Sequence, residues 1–397
     1  MRARGALGVF VAGLVGLGAC GDGGDAADTR DTHDSDAEVD EPDGDTTAPE
    51  TDVPVTDTET QDSEVTGDAW AYLVARYDKL ETLAGRGQQR DQGVEWVAAY
   101  EGGPATAAEL SRPHMAMADA SGRVFIADKE AHAIRRVDLD GTIHTVAGTG
   151  VPGDDGDDAA AGSGRRLNNP NGLFVLTRGA SSGVVFILDT DNGKVRRLGV
   201  DGQLTTHVIV PGGVGGGRGL WVSDDEGEAW IGAGKRVLHW RRGVGVSVLA
   251  DGFDDLGNLA LDLEGRLVVT DRGANFVYRV VGGQKVVIAG NGETAGGGEG
   301  SLATQMAFYE PRAVWFLPDG GFFVGTHEGN QVWYVDPQGV SHLFLDGGDG
   351  HAHSGDGQYF RTPGKKVSEV RAVTVAPNGD VLVTENDFGY VRVVRHR

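Results

Sequence analysis

"PHMAMADASGRVFIADKEAHAIRRVDLDGTIHTVAGTG", residues 113 to 150, holds an apolar strand and a Gly-centred turn, then a second strand ending on Asp128. A third strand begins at Ile134 and a fourth closes on "TVAG". Short runs of Val, Ile and Ala broken by Gly and Asp are the pattern of antiparallel strands joined by tight turns. The opening recurs as "PNGLFVL" at 170, "GRGLWVS" at 217, "GNLALDL" at 257, "PRAVWFL" at 311 and "VRAVTVA" at 370. From the small or apolar residue of each opening (Met115, Gly172, Gly219, Asn258, Ala313, Ala372) to the start of each third strand (Ile134, Val195, Val237, Val277, Val332, Val391) the distances are 19, 23, 18, 19, 19 and 19 residues. Length varies after the fourth strand, in Gly/Asp-rich loops. Six copies of one four-stranded unit with variable loops predict an all-β fold, a six-bladed β-propeller.

The last copy stops at "YVRVVRHR", after its third strand, and an orphan half repeat stands ahead of the first copy. Counting back from Pro113 and Pro311, "GGPATAAEL" faces the stretch before blade 5, with Ala105 against Ala303 and Thr106 against Thr304. The expectation is that "VEWVAAY", residues 94 to 100, supplies the missing strand. The ring then closes by pairing chain start with chain end, which removes exposed sheet edges. Upstream, "DAWAYLVARYDKLETLAG", residues 68 to 85, has a capping Asp68, helical spacing of Trp70, Leu73, Tyr77 and Leu80, and a terminal Gly85. It predicts one helix packed on the β domain.

The repeated pattern P-x-G-[apolar]-x-[apolar], G-x-[apolar]-x-[apolar]-x-D, [NHG]-x-[IV], "TVAGTG" and "GGPATAAEL" resembles the NHL-repeat six-bladed propellers of bacteria over about residues 94 to 397. Blade 2 departs through an insertion near "RGASSG", and blade 3 has "AWIGAGKRV" in place of the usual acid. The resemblance implies a platform for protein or RNA, or in a few relatives an enzyme, so function rests on the site.

The net charge of -24 is uneven: residues 21 to 67 hold 17 acids and one Arg. With almost no large apolar residues, that segment is expected to be a disordered, self-repelling tether. "MRARGALGVFVAGLVGLGAC" places Arg2 and Arg4 before an apolar run too short to span a bilayer, which reads as an export signal. Its last four residues resemble the bacterial lipobox, making Cys20 the lipidated residue, and Gly21 in place of Asp favours the outer membrane, periplasmic or surface-exposed. The expected organisation is signal peptide 1–19, acidic tether 20–67, helix and linker 68–90, and propeller 91–397. Cys20 is the only cysteine, so an intrachain disulfide is excluded. The acidity of the folded part argues against nucleic acid as a partner.

The residue before each small position should ring one mouth of the channel: His114, Asn171, Arg218, Gly257, Arg312 and Arg371. Converging arginines would attract a carboxylate, a phosphate or an acidic side chain; the alternative is that they bridge blades through main-chain carbonyls. Asp128, Asp189, Asp271 and Glu385 recur as turn-forming carboxylates. In "DGGDGHAHSGDG", His351 and His353 with Asp349 and Asp356 form a candidate divalent-metal constellation or a solvated rim loop. "GDDGDD" at 153 to 158 lacks the spacing of a calcium loop; no cofactor is expected beyond a structural calcium ion. By resemblance, gluconolactonase-like propellers hold an axial metal with Glu, Asn and Asp. Asn171 fits that set and the arginines oppose it. For a lyase with axial histidines only His114 and His327 are placed. The reading is a lipid-anchored binding or scaffolding module for a protein or anionic ligand. The alternative is a metal-dependent hydrolase or lyase acting on a small molecule at the channel mouth.

Overall fold

The computed structural model describes residues 68–87, 96–156, 161–348, 354–386 and 388–397, all within the unit Ser63–Arg397. Residues 1–67, with the signal, Cys20 and the acidic segment, lie outside the described residues.

Six antiparallel sheets surround one axis. Blades 1 to 5 are four-stranded, and in each the strands pair in sequence order from the axis outward. Their innermost strands are Pro113–Ala118, Pro170–Val175, Leu220–Val222, Leu256–Leu261 and Pro311–Phe316. Blade 6 begins with Val370–Val375. Innermost strands are buried on both faces and pack against their neighbours around a closed ring. This is why Val, Leu and Ala are the commonest residues in them.

Three of the blade junctions are stapled by the polar residue just before the third strand. His132 Nδ1, Asn275 Oδ1 and Asn330 Oδ1 accept the main-chain N–H of Asn169 (3.1 Å), Glu310 (2.9 Å) and Glu369 (2.7 Å) in the following blade. All six of these residues have a positive φ between 45° and 57°. That backbone exposes an N–H which would otherwise be buried without a partner. The acids at the ends of the second strands meet the same need. Asp128 accepts from Ser111 N, Asp189 from Asn168 N, Asp271 from Asp254 N and Asp255 N, and Glu385 from Ser368 N.

The ring closes through an N-terminal strand, but not the expected one. The segment 68 to 85 is half helix and half strand. Ala69–Ala75 is helical, capped by Asp68 Oδ1, which accepts from Trp70 N at 3.0 Å and Ala71 N at 3.1 Å. Tyr77–Ala84 is the fourth strand of blade 6, pairing Leu80 with Val394 and Thr82 with Arg392. A bulge between Tyr77 and Leu80 restores them to one face, so residues at helical spacing are buried on a strand. A second bulge, between Thr82 and Ala84, recurs in the fourth strand of every blade. "TLAG" at 82–85 is therefore the counterpart of "TVAG" at 145–148. Gly85, Gly148 and Gly290 have φ of +93°, +87° and +93°, and a Cβ there would stand 1.9, 2.1 and 2.3 Å from a main-chain oxygen. Only glycine fits. Gly85 N donates to Ala105 O just as Gly290 N donates to Ala303 O, so the alignment of those two stretches holds while the strand assignment for 94 to 100 does not. Residues 98 to 100 form a single 3-10 turn, and Trp96 lies over the Arg135 guanidinium of blade 1 at 3.6 Å. Residues 94 and 95 lie outside the described residues.

The helix packs on the β domain as expected: Trp70 stacks on His342 of blade 5 at 5.0 Å, and Leu73 is buried. Blade 6 also gains a fifth, two-residue strand, Gln358–Tyr359, on its outer edge.

Candidate functional site

The innermost strands line the channel with polar side chains at one end and aromatic rings further along. On the innermost strands, Phe174, Trp221 and Trp315 from blades 2, 3 and 5 meet. Phe174 and Trp221 centroids are 4.5 Å apart, and Trp221 and Trp315 5.7 Å.

At the polar end the structure brings three of the expected residues, His114, Arg218 and Arg312, within reach of one another's charge. His114, Asn171 and Arg312 are buried, and Arg218 is half-buried. The charges of Lys129, Arg218, Arg312 and Arg112 all reach His114. Burial first, and then these cations, hold its imidazole well below 6.5. It is thus neutral at physiological pH. Gly257 is packed against the Arg312 main chain, and Asn258 Nδ2 donates to Arg371 O at 3.2 Å between blades 4 and 6.

The arginines do not form a bare positive ring. Arg218 Nη1 contacts Asp255 at 3.3 Å, and Asp255 also pairs with Arg272. Arg272 Nη1 reaches Glu310 at 3.1 Å, and Glu310 accepts from Arg312 Nη2 at 2.8 Å. The alternation of Arg218, Asp255, Arg272, Glu310 and Arg312 is a chain of ion pairs across blades 3, 4 and 5. Lys129 and Arg272, which follow the second-strand acids, were missed at the sequence level. Their place immediately after those acids is the signal that locates them.

Arg312 is the exceptional member. Its side chain is only 6% exposed, its pKa is pushed down to about 10 chiefly by burial, and its Nε and Nη1 have no hydrogen-bond partner. Asn171 Oδ1 is likewise buried without a partner. Unpaired donors on a buried cation are costly and call for an acceptor. Arg371 donates to Asn386 Oδ1 at 2.8 Å. It carries no ion pair among the described residues.

Among the described residues, Glu310, His327 and Glu328 bring one ligand atom each within 4.8 Å of one another. Glu310 is already bound to Arg272 and Arg312, so a cation there would compete with two guanidinium groups. Of the other metal candidates, Asp349, His351 and His353 lie outside the described residues. Asp356 accepts from Thr82 Oγ1 at 2.8 Å and Arg392 Nη2 at 2.9 Å, tying the 354–360 segment to the closing strand. Asp154 is held by Lys194 at 2.5 Å and Asp155 by Arg166 at 2.7 Å. In the loop read for calcium, both carboxylates thus face cations. A cleft of about 780 Å³ opens away from the axis, where Trp96, Arg135, His132 and Thr149 meet.

No protein-family model matches the chain, and no curated protein matches it in sequence. Solved structures do resemble it. A protein of unknown function from Bacteroides thetaiotaomicron superposes with a TM-score of 0.63 at 12% identity, covering 81% of this chain and 76% of that one. An auxiliary nutrient binding protein from the same organism gives 0.58 at 12%, covering 80% and 76%. A gluconolactonase from Xanthomonas campestris gives 0.51 at 15%, covering 82% and 93%. At such identities the likeness is one of fold, and the chain is a six-bladed β-propeller protein. No helix among the described residues is long and apolar enough to cross a membrane.

Proposed function

We propose that this protein is a lipid-anchored extracytoplasmic binding module, an NHL-like propeller that captures a small anion or an acidic side chain at the polar mouth of its channel. The observation that carries this reading is Arg312, a buried guanidinium with two donor atoms left unpaired. A carboxylate or phosphate oxygen would satisfy those donors with charge-assisted hydrogen bonds. Arg218, Arg272 and neutral His114 surround the same space, and the ion-pair chain holds the arginines in place before a ligand arrives. The solved structure named as a nutrient binding protein agrees with such a role. The lipobox-like ending at Cys20 and the export signal supply the address.

The second reading, a metal-dependent hydrolase or lyase, is favoured by the Glu310, His327 and Glu328 cluster and by the gluconolactonase among the structural neighbours. The two separate in one set of thermal melts, with inorganic phosphate, succinate, calcium or zinc added after EDTA treatment. A ligand that binds only the folded state raises stability by about 2.7 kcal/mol at a hundredfold excess over its dissociation constant. Stabilisation by phosphate or succinate is expected, and Arg312→Gln should weaken it at least about tenfold, with Arg218→Gln as a milder companion. A shift with zinc or calcium alone, abolished in His327→Ala, would replace the binding reading by the enzyme.

A further inference from the structure

The outermost strand of each blade has an edge of main-chain donors and acceptors, and the blades treat it differently. In blade 1, Gly102 N donates to Ile143 O at 2.8 Å, Ile143 N to Gly103 O at 2.9 Å, and Thr145 N to Glu101 at 3.0 Å. Blade 5 repeats the device: Gly300 N to Ser341 O at 2.9 Å, Ser341 N to Ser301 O at 2.8 Å, and Leu343 N to Glu299 at 2.7 Å. In blade 2 the contact stops one residue ahead of the outermost strand, Leu204–Ile209, where Ala161 bridges to Gln203, and in blade 6, Gln358–Tyr359 pairs with the closing strand. Each cover comes from the segment that precedes its blade. The segments preceding blades 3 and 4 are too short to provide one. Among the described residues, Gly245–Ala250 and Gln284–Ala289 receive no main-chain hydrogen bond from outside their own sheets. The two open edges are neighbours: a Cβ at Gly283 would stand 3.1 Å from Leu249 O.

This wall is also apolar and basic. Val244, Val248, Val281, Val286 and Val287 are exposed on it. The hairpins 235–250 and 276–289 contain Lys235, Arg236, Arg241, Arg242, Arg279 and Lys285 and no acid, in a chain of net charge -24. Several of these cations are engaged locally: Lys235 with Asp254, Arg279 with Asp262, Arg242 with main-chain oxygens of Asp225 and Glu226, and Lys285 with Gly252 O. Glu228 is taken by His239. Arg236 and Arg241 are exposed and carry no ion pair among the described residues.

We infer that the open edges of blades 3 and 4 receive an extended acidic segment of a partner protein, added as a further strand. Strand addition would satisfy the exposed main-chain groups, alternate side chains would lie against the valines, and the partner's acids would meet Arg236, Arg241 and Lys285. Charge selects this occupant over a second copy, because two such basic hairpins set edge to edge repel each other. This surface is separate from the channel mouth and does not depend on its ligand.

The test uses the full chain and a labelled peptide of alternating Glu and Val, followed by fluorescence anisotropy at low salt. Two further peptides carry N-methyl groups on alternate main-chain nitrogens, one in each phase. Strand addition predicts that one phase binds like the parent and the other loses at least about tenfold in affinity, since only alternate residues donate to the sheet. The paired substitutions Arg241→Glu and Lys285→Glu should weaken the parent peptide by a similar factor with an unchanged melting temperature. Equal binding of all three peptides would overturn strand addition and leave only charge attraction. Absence of peptide binding would overturn the proposal, whether the same wall then holds anionic lipid vesicles or forms dimers that the substitutions dissolve.

Discussion

His114 sits on the axis as a neutral imidazole among cations, and that position has a consequence for pH. Its folded pKa is depressed below 6.5 by burial and by Lys129, Arg218, Arg312 and Arg112. The unfolded chain therefore takes up a proton that the folded one refuses. The contribution of this residue is fully present above pH 6.5 and is lost as pH falls below it. His114→Asn, which places in blade 1 the residue that Asn171 already supplies in blade 2, should flatten the fall of stability between pH 6.5 and 5. The expected change is up to about 1.4 kcal/mol per pH unit, one proton's worth. Denaturant titrations of both proteins across that range check it; parallel profiles would mean that the imidazole titrates alike in both states.

At the scale of elements, the closing strand decides stability. Leu80 is fully buried between blades 5 and 6, whereas Val97, in the stretch that the repeat pattern pointed to, is 43% exposed. Leu80→Ala should cost about 2–5 kcal/mol, and Val97→Ala should stay within about 0.5 kcal/mol. Thermal and denaturant melts of the two variants side by side test the closure. Equal effects would return the closing role to residues 94 to 100. "TLAG" at 82–85 was legible as a fourth strand, since it matches "TVAG" and ends on the same obligatory glycine. The helical expectation for this stretch rests on Tyr77 and Leu80 standing three residues apart, a spacing that a bulge produces as readily as a helical turn. Bulges depend on the partner strand, and no local pattern announces them.

For the molecule as a whole, the proposed lipid anchor is tested apart from the fold. Cys20→Ser is expected to move the full chain from the membrane fraction to the soluble one, with the propeller still folded by its cooperative melt. A variant that stays with membranes would end the lipid-anchor proposal. The polar channel mouth, with Phe174, Trp221 and Trp315 packed together further along, is the proposed axial binding end. The edges of blades 3 and 4, which among the described residues take no main-chain bond from outside their sheets, carry the proposed strand-addition surface on the outer wall.

The six blades and their four-strand plan were readable from the repeat, because equivalent positions recur at near-constant spacing and each blade buries the same faces. The arginines' partners were not readable. Asp255, Arg272 and Glu310 lie in different blades from some of the groups they bind, and only the closure of the ring makes them neighbours. The same holds for Arg135, Arg196 and Arg392, charged side chains that composition would place at the surface and that are fully buried beside the turn acids. Local periodicity is written in each blade; charge balance and strand closure depend on distances between blades, which the folded ring alone sets.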